Sequence, residues 1–556
     1  MKFKRLSFGT FGLLAVGGLV GGCSGKAEDC NANKSCGHYG GAAGSSAAGA
    51  SGVGASGGHG GMSGGSGANG ASGAAGTGGG TPACDPNANP AAEACVISSK
   101  YGLFVAPDGS DTGNGTKEKP FASLSKALEV AGAGALKRIY VCAAPYSESE
   151  TLVIPNRVEI YGGFACGVWS YAVNANQKAF ITSSKSVAAM IDSANLGVIL
   201  QDVRIDASDA PANNPSSSSF GLMINDSTAL LERVEIRAGK ATAGKDGDVG
   251  TAGKGGDDPV AVQNGTAVFC GAGVAKGGVA SIVSACSSVG GDGGKGYMDS
   301  VSGSGAPGTP LTNLHPPGVV NGGAGASQVG SSFAGKNGDP GFQGISGTNG
   351  AVAPNVGTFD VNGYAVASGG DGANGYPGQG GGGGGASLGN GMCTGASGGA
   401  GGMGGCAGHF GTGGTGGGAS VAVLSWNSAV TIDGSIFAAS AGGAGGKGAA
   451  GGGGGAGKKG GNGGLGNGAI GNAGNGGYGG YGGRGGSGAG GSGGPSIALF
   501  YSGSAPILMN APTLTASAAQ AAKGVGGQVD LADPDSKAPD GSVGITAAMY
   551  PPPAKL

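Results

Sequence analysis

The chain has 556 residues, of which 137 are Gly and 25 are Pro, and its 30 Lys plus Arg nearly balance 32 Asp plus Glu for a net charge of −2. Glycine and proline at this level mark low-complexity chain, yet 11% charged residues is too few for a charge-rich disordered tail. No basic stripe is present, which sets nucleic acid aside as a partner.

The chain opens on a cationic stretch, Met1-Lys2-Phe3-Lys4-Arg5, followed by an apolar run from Leu6 to Val20 that ends in Val20-Gly21-Gly22-Cys23. Fifteen residues, 6 to 20, fall short of the ~20 that span a bilayer and suit a signal sequence. The ending resembles the lipobox of bacterial lipoproteins, with Val20 where leucine is commoner. The resemblance implies a signal peptide over 1–22, lipidation of Cys23, and attachment to a membrane through acyl chains alone. Ser24 in place of aspartate points, by the same resemblance, to the outer membrane, and a surface-exposed location is expected.

Residues 37–81 are nearly all Gly, Ala and Ser, so 23–83 reads as a lipidated cysteine plus a flexible tether with a reach of roughly 35–40 Å. Eleven cysteines less Cys23 leave an even number in an exported chain, consistent with disulfides. Proximity pairs Cys30 with Cys36, Cys84 with Cys95, Cys142 with Cys166, Cys270 with Cys286, and Cys393 with Cys406. A metal site at Cys393, Cys406 and His409 is the weaker reading, since the chain has four His and its compartment is oxidising.

The folded part begins near Cys84. Val105-Ala-Pro-Asp108-Gly109-Ser-Asp111, Gly115-Thr116 and Pro120-Phe121-Ala-Ser123-Leu124-Ser-Lys-Ala127-Leu128 follow in order. Asp108-Gly109 is a turn, and Leu124, Ala127, Leu128 and Ala131 share one helical face. Such a helix can cap an open sheet end, which would otherwise expose unpaired backbone. Residues 101–166 resemble the entry segment of secreted bacterial right-handed β-helix proteins, some of them pectate-lyase-like enzymes and many of unknown activity. The resemblance implies an all-β fold: a right-handed parallel β-helix (a pectin-lyase-like solenoid) with an N-terminal capping helix.

Four stretches then repeat a frame of about twenty residues: Ser186–Ala207, Ser219–Ala238, Ser420–Ala439 and Ser496–Ala516. Each opens on Ser, runs through two apolar strands, and closes on an apolar residue two before Ala. The frame predicts β-helix coils in 84–238, 419–439 and 496–556, with insertions 239–418 and 440–495 leaving from one corner. Aligning Leu200 with Leu231 pairs Asp202 with Arg233, Arg204 with Glu235, and Asp206 with Arg237 as an outward charge ladder. The 24-residue spacing of Cys142 and Cys166 is close to one coil, so a disulfide should join adjacent rungs.

Within the insertions glycine recurs every third residue, from Gly442 to Gly466, from Gly471 to Gly486 and from Gly335 to Gly350. A period of three suits either a bundle of polyglycine-II-like strands or a flexible loop. The texture resembles, in composition only, the glycine-rich half of mycobacterial polymorphic glycine-rich proteins.

Chemistry is sparse. Asp246, Asp248, Asp257 and Asp258 are weak calcium candidates, read more simply as solvated carboxylates. Gly490-Gly-Ser492-Gly-Gly494 matches a hydrolase elbow without the strand–turn–helix it needs. Trp169, Tyr171 and Trp426 suit packing better than sugar stacking. The charge ladder accounts for the basic and acidic residues that a polysaccharide lyase would need free. The expectation is therefore a non-enzymatic surface lipoprotein, structural or adhesive, with no cofactor beyond its lipid. The alternative is a carbohydrate-active enzyme, lyase or hydrolase, or a binder of surface polysaccharide, on the same fold.

Overall fold

A computed structural model describes residues 84–172, 178–280, 286–299, 301–310 and 333–551. Cys23, the Cys30/Cys36 pair and the 37–81 tether lie outside them. The strands stack into three parallel sheets of seven, six and six strands, which together form a parallel β-helix. Successive coils visit the sheets in order. The coil that starts at Ser219, for example, runs through Ser219–Asn225 in the third sheet, Thr228–Glu232 in the first and Glu235–Arg237 in the second. Inward residues of the first sheet, Ile139, Ile160, Leu200, Leu231 and Ile432, are all buried and stack one above the other.

The entry motif builds the cap. Helix α1, Leu124–Ala133, buries Leu124, Ala127, Leu128 and Ala131 against the first coils. The Ser123 hydroxyl caps it by accepting from Lys126 N–H, and Asp111 accepts from both Ala122 and Ser123 N–H at 2.8 and 3.0 Å. Gly115 has φ +67° and lies against the Phe121 ring, where a β-carbon would collide.

Leu200 pairs with Leu231, Arg204 with Glu235, and Asp206 with Arg237. Of the three expected ion pairs, Asp202–Arg233 forms at 2.8 Å and Arg204–Glu235 at 3.8 Å. The third does not form: Arg204 also turns to Asp206 at 2.6 Å, and Arg237 turns to Glu235 at 2.5 Å. Residues two apart on a strand share a face, so a long arginine reaches along its own strand as readily as across.

Gaps 207–218, 238–419, 439–495 and 516–545 all leave at the corner between the second and third sheets. The serines that open three of the coils, Ser219, Ser420 and Ser496, close that corner. The buried Ser420 hydroxyl accepts from Ser440 N–H at 2.9 Å and donates to the Gly239 carbonyl at 2.8 Å. Ser219 and Ser496 repeat the pattern, one coil before and one coil after. Ser420→Ala leaves both backbone groups without that partner and is expected to cost about 1–3 kcal/mol of stability in urea denaturation. A change within error would show that the clamp is incidental.

Beyond the corner the coil register continues into the glycine-rich arms. Gly244, Gly247, Gly250 and Gly253 donate to the carbonyls of Ala444, Lys447, Ala450 and Gly453 at 2.8–2.9 Å. Strand 443–464 then shares its triplet among neighbours. The N–H groups of Gly446, Ala449, Gly452 and Gly455 donate to the carbonyls of Thr415, Thr412, His409 and Cys406, and their own carbonyls accept from Gly491, Gly488, Gly485 and Gly482. Hydrogen bonds to different neighbours at every third residue are the pattern of packed three-fold strands. The result is an ordered plate in which backbone meets backbone. A β-carbon at Gly448, Gly451 or Gly454 would overlap a carbonyl of strand 482–488, and one at Gly446, Gly452 or Gly455 a carbonyl of strand 245–254. At Gly453, in the third row, a β-carbon meets nothing within 4 Å.

The plate also corrects the expected cysteine pairing. Cys84–Cys95 and Cys142–Cys166 are bonded, but Cys270 joins Cys393 and Cys286 joins Cys406, with separations of 123 and 120 residues. Strand Phe269–Cys270 lies antiparallel to Cys393–Thr394, so topology brings together cysteines that sequence proximity separates.

Candidate functional site

An open groove with a cavity volume of about 690 Å³ runs along the outer face of the first sheet. Its floor is one outward column in continuous register: Arg138 pairs with Glu159, Glu159 with Ile199, Ile199 with Leu230, and Leu230 with Thr431. One wall is the segment before the first strand, which supplies Pro86, Asn87, Lys100 and Tyr101. That segment is fastened across the sheet by Tyr140, whose hydroxyl donates to the Val96 carbonyl at 2.5 Å, and by Asn89, 2.7 Å from Gln201. The other wall is the corner carrying Arg157, Leu196 and Gly197. Arg157 adopts φ +66°, which turns the chain at this corner.

Lys100, Lys137, Arg138 and Arg157 line the groove against a single carboxylate, Glu159. Arg138 is only 5% exposed; its Nε donates to Glu159 at 2.9 Å and its guanidinium lies 5.3 Å from the centre of the Tyr161 ring. Its Nη1 is buried without a hydrogen-bond partner among the described residues. Lys137 donates to the Ala131 and Gly132 carbonyls at the end of α1, at 2.6 and 3.2 Å.

A second polar cluster sits at the corner between the first and second sheets. Asp202, 3% exposed, accepts from the Tyr171 hydroxyl at 2.5 Å and from Arg233 Nε and Nη2 at 2.9 and 2.8 Å. Arg233 also pairs with Glu232. The hydrogen bonds it donates to Asp202 hold the Arg233 guanidinium above its ordinary value, against the effect of burial. Asp202 and Arg233 take φ +53° and +51°, and Gly434 and Asn510 take +52° and +49° at the same corner of later coils. The left-handed turn thus recurs, and non-glycine residues there bear a strain of about 1–2 kcal/mol. Lys178 stands beside this cluster without an ion-pair partner among the described residues. Burial lowers its ammonium from the ordinary range, while Glu235 and Asp202 pull the other way.

The residues singled out in the sequence fall elsewhere. Asp246, Asp248 and Asp258 lie along one extended arm and are engaged within the plate. Asp246 accepts from Lys447 N–H at 2.7 Å, Asp248 meets Lys245 at 3.3 Å, and Asp258 meets Lys458 at 2.8 Å. Asp257 adjoins Asp258 without joining a ligand cluster; the one group whose ligand atoms come within 4.8 Å, among the described residues, is Cys84, Glu93 and Cys95. Two of those three sulfur and oxygen donors are tied up in a disulfide. Cys393 and Cys406 are disulfide-bonded, so neither offers His409 a thiolate partner. Trp169 is 4% exposed and meets Phe104 edge-on at 4.7 Å. Trp426 pairs in register with Asn225 and Ser502 and packs against the apolar cluster of the third sheet, in which Phe500 stacks on Phe359 of a short hairpin.

Residues 107–197, which include the cap and the first coils, match the model of a family described as protein of unknown function, DUF1565. No curated protein and no solved structure matches the chain. The match and the stacked parallel sheets agree on a β-helix domain, and neither assigns the groove a ligand.

Proposed function

We propose that this chain is a lipid-anchored, non-enzymatic module of the bacterial outer surface that holds a rigid plate away from the membrane as a structural or adhesive element. The observation that carries this reading is the in-register bonding of successive arms, which makes the insertions a continuation of the β-helix. A rigid body on a lipidated tether displays side chains without itself entering the membrane; no helix among the described residues is long and apolar enough to cross one. The disulfides suit an oxidising compartment outside the cytoplasm. The partners this reading calls for are the membrane, through the anchor, and envelope components such as surface polysaccharide, through the plate. Cys23→Ser is expected to abolish lipid labelling and detergent-phase partitioning, and unchanged partitioning would overturn the anchor. Antibody against the plate should label intact cells; labelling only after permeabilisation would overturn surface display.

Lys178 favours a second reading, a polysaccharide lyase, because an amine with a lowered proton affinity near Asp202 and Glu235, and with no ion-pair partner among the described residues, can abstract a proton. Incubating the full chain with a panel of acidic polysaccharides separates the two. New unsaturated product, lost in Lys178→Ala, would replace the non-enzymatic reading.

A further inference from the structure

We propose that the groove on the first sheet binds an anionic amphiphile, with an oxyanion head at its cationic end and an apolar chain along the column beyond. A sheet face turned to water is ordinarily polar at its outward positions. This column is polar at one end, Arg138 and Glu159, and then apolar, Ile199 and Leu230, before Thr431. Leu196, 66% exposed, adds to the apolar stretch from the rim. From Arg138 to Thr431 the groove crosses four strand spacings of about 4.8 Å, or roughly 19 Å.

The head end is charged beyond its own needs. Four cations face one carboxylate, a local excess of three positive charges in a chain of net charge −2. Arg138 satisfies Glu159 through Nε, yet its buried Nη1 has no acceptor among the described residues, a state that costs free energy and leaves the guanidinium with donor capacity to spare. An oxyanion supplies several acceptors at once, which a guanidinium flanked by ammonium groups matches well. A saccharide would be expected to find ring faces along such a groove. Here Tyr101 is the one aromatic lining residue among the described residues, and Lys100 already lies over its ring at 5.0 Å. The charge gradient and the apolar run together fit a head-and-tail ligand better than a uniformly polar chain.

The test uses the chain from residue 24, secreted through a heterologous signal so that its disulfides form, and calorimetric titration with dodecyl phosphate below its micelle concentration. One equivalent should bind, more weakly as salt rises, and octyl phosphate should bind about ten-fold or more weakly, as lost methylene contacts require. The exposed pair Lys100→Gln with Arg157→Gln should weaken binding about ten-fold with an unchanged melting curve, and Leu230→Asn should erase the chain-length dependence. Inorganic phosphate, dodecyl maltoside or oligogalacturonate binding as tightly as dodecyl phosphate would overturn the proposal. Phosphatidylcholine vesicles containing phosphatidic acid distinguish a membrane lipid from a free amphiphile. Capture of either carries the inference, and failure of both overturns it.

Discussion

Gly452→Val is expected to destabilise the glycine-rich plate by about 3 kcal/mol or more, while its neighbour Gly453→Ala stays within about 1 kcal/mol of the parent and on the stabilising side. At Gly452 a β-carbon overlaps the Thr251 carbonyl, which is fixed by the backbone hydrogen bond it accepts from His409. Neither strand can retreat without breaking the ladder on its far side. At Gly453 there is open space and no left-handed φ, so alanine removes unfolded-state entropy at no steric cost. Urea denaturation followed by backbone hydrogen exchange in the plate reads both. Equal effects at the two positions would mean that the glycine rows do not set the packing.

The second large effect lies at the sheet corner. Asp202→Ala removes the acceptor of Tyr171 and of two Arg233 nitrogens, and the loss should be about 3 kcal/mol. The lower end of the range for broken buried pairs applies because the Arg233 side chain stays 30% exposed and water can reach it. A loss under about 1 kcal/mol would make the cluster an ordinary surface network. The same cluster gives a pH signature. Burial first, then the Asp202 carboxylate, push the Tyr171 hydroxyl up from 10.0 to about 12. A folded-state value above the unfolded one means the contribution is fully present below pH 10 and lost as pH rises toward 12. Tyr146 and Tyr161 are raised by burial as well, so the measurable quantity is the flattening of that slope in Tyr171→Phe. An unchanged slope would show that Tyr171 is not sealed against Asp202.

The β-helix was legible because each coil keeps its own local rules. Leu200, Val203 and Ile205 match Leu231, Val234 and Ile236 without any knowledge of what intervenes, and Ser219, Ser420 and Ser496 mark the corner where they do. The capping helix was legible for the same reason, since Ser123 and Asp111 act on backbone within a turn of the helix. The cysteine pairs of the plate were not, because Cys270 meets Cys393 through strands folded back over more than a hundred residues. The groove escaped as well. Arg138, Glu159, Ile199 and Leu230 lie on separate coils with no shared motif, and the wall opposite is a segment whose place on the sheet only Tyr140 and Asn89 reveal. Lys178 carries no motif in the sequence, and the charges that act on it, Asp202 and Glu235, come from two other coils.

The open row that contains Gly453 separates what holds the plate together from what the plate presents. In strand 443–464 the buried rows are almost wholly glycine and alanine, whereas the row that runs every third residue from Lys447 exposes Lys447, Gly453, Ala456, Lys459 and Asn462. On strand 474–494 the same interval exposes Tyr478 and Tyr481, at 59% and 62%. Neighbouring residues of such a row are about 9 Å apart, too far for most of them to touch. Each can therefore be exchanged independently, with nearly additive effects, while the hydrogen-bonded lattice beneath keeps its spacing. The plate is thus a printed page whose lettering can be reset one character at a time, so its presented face can change without refolding the lattice beneath.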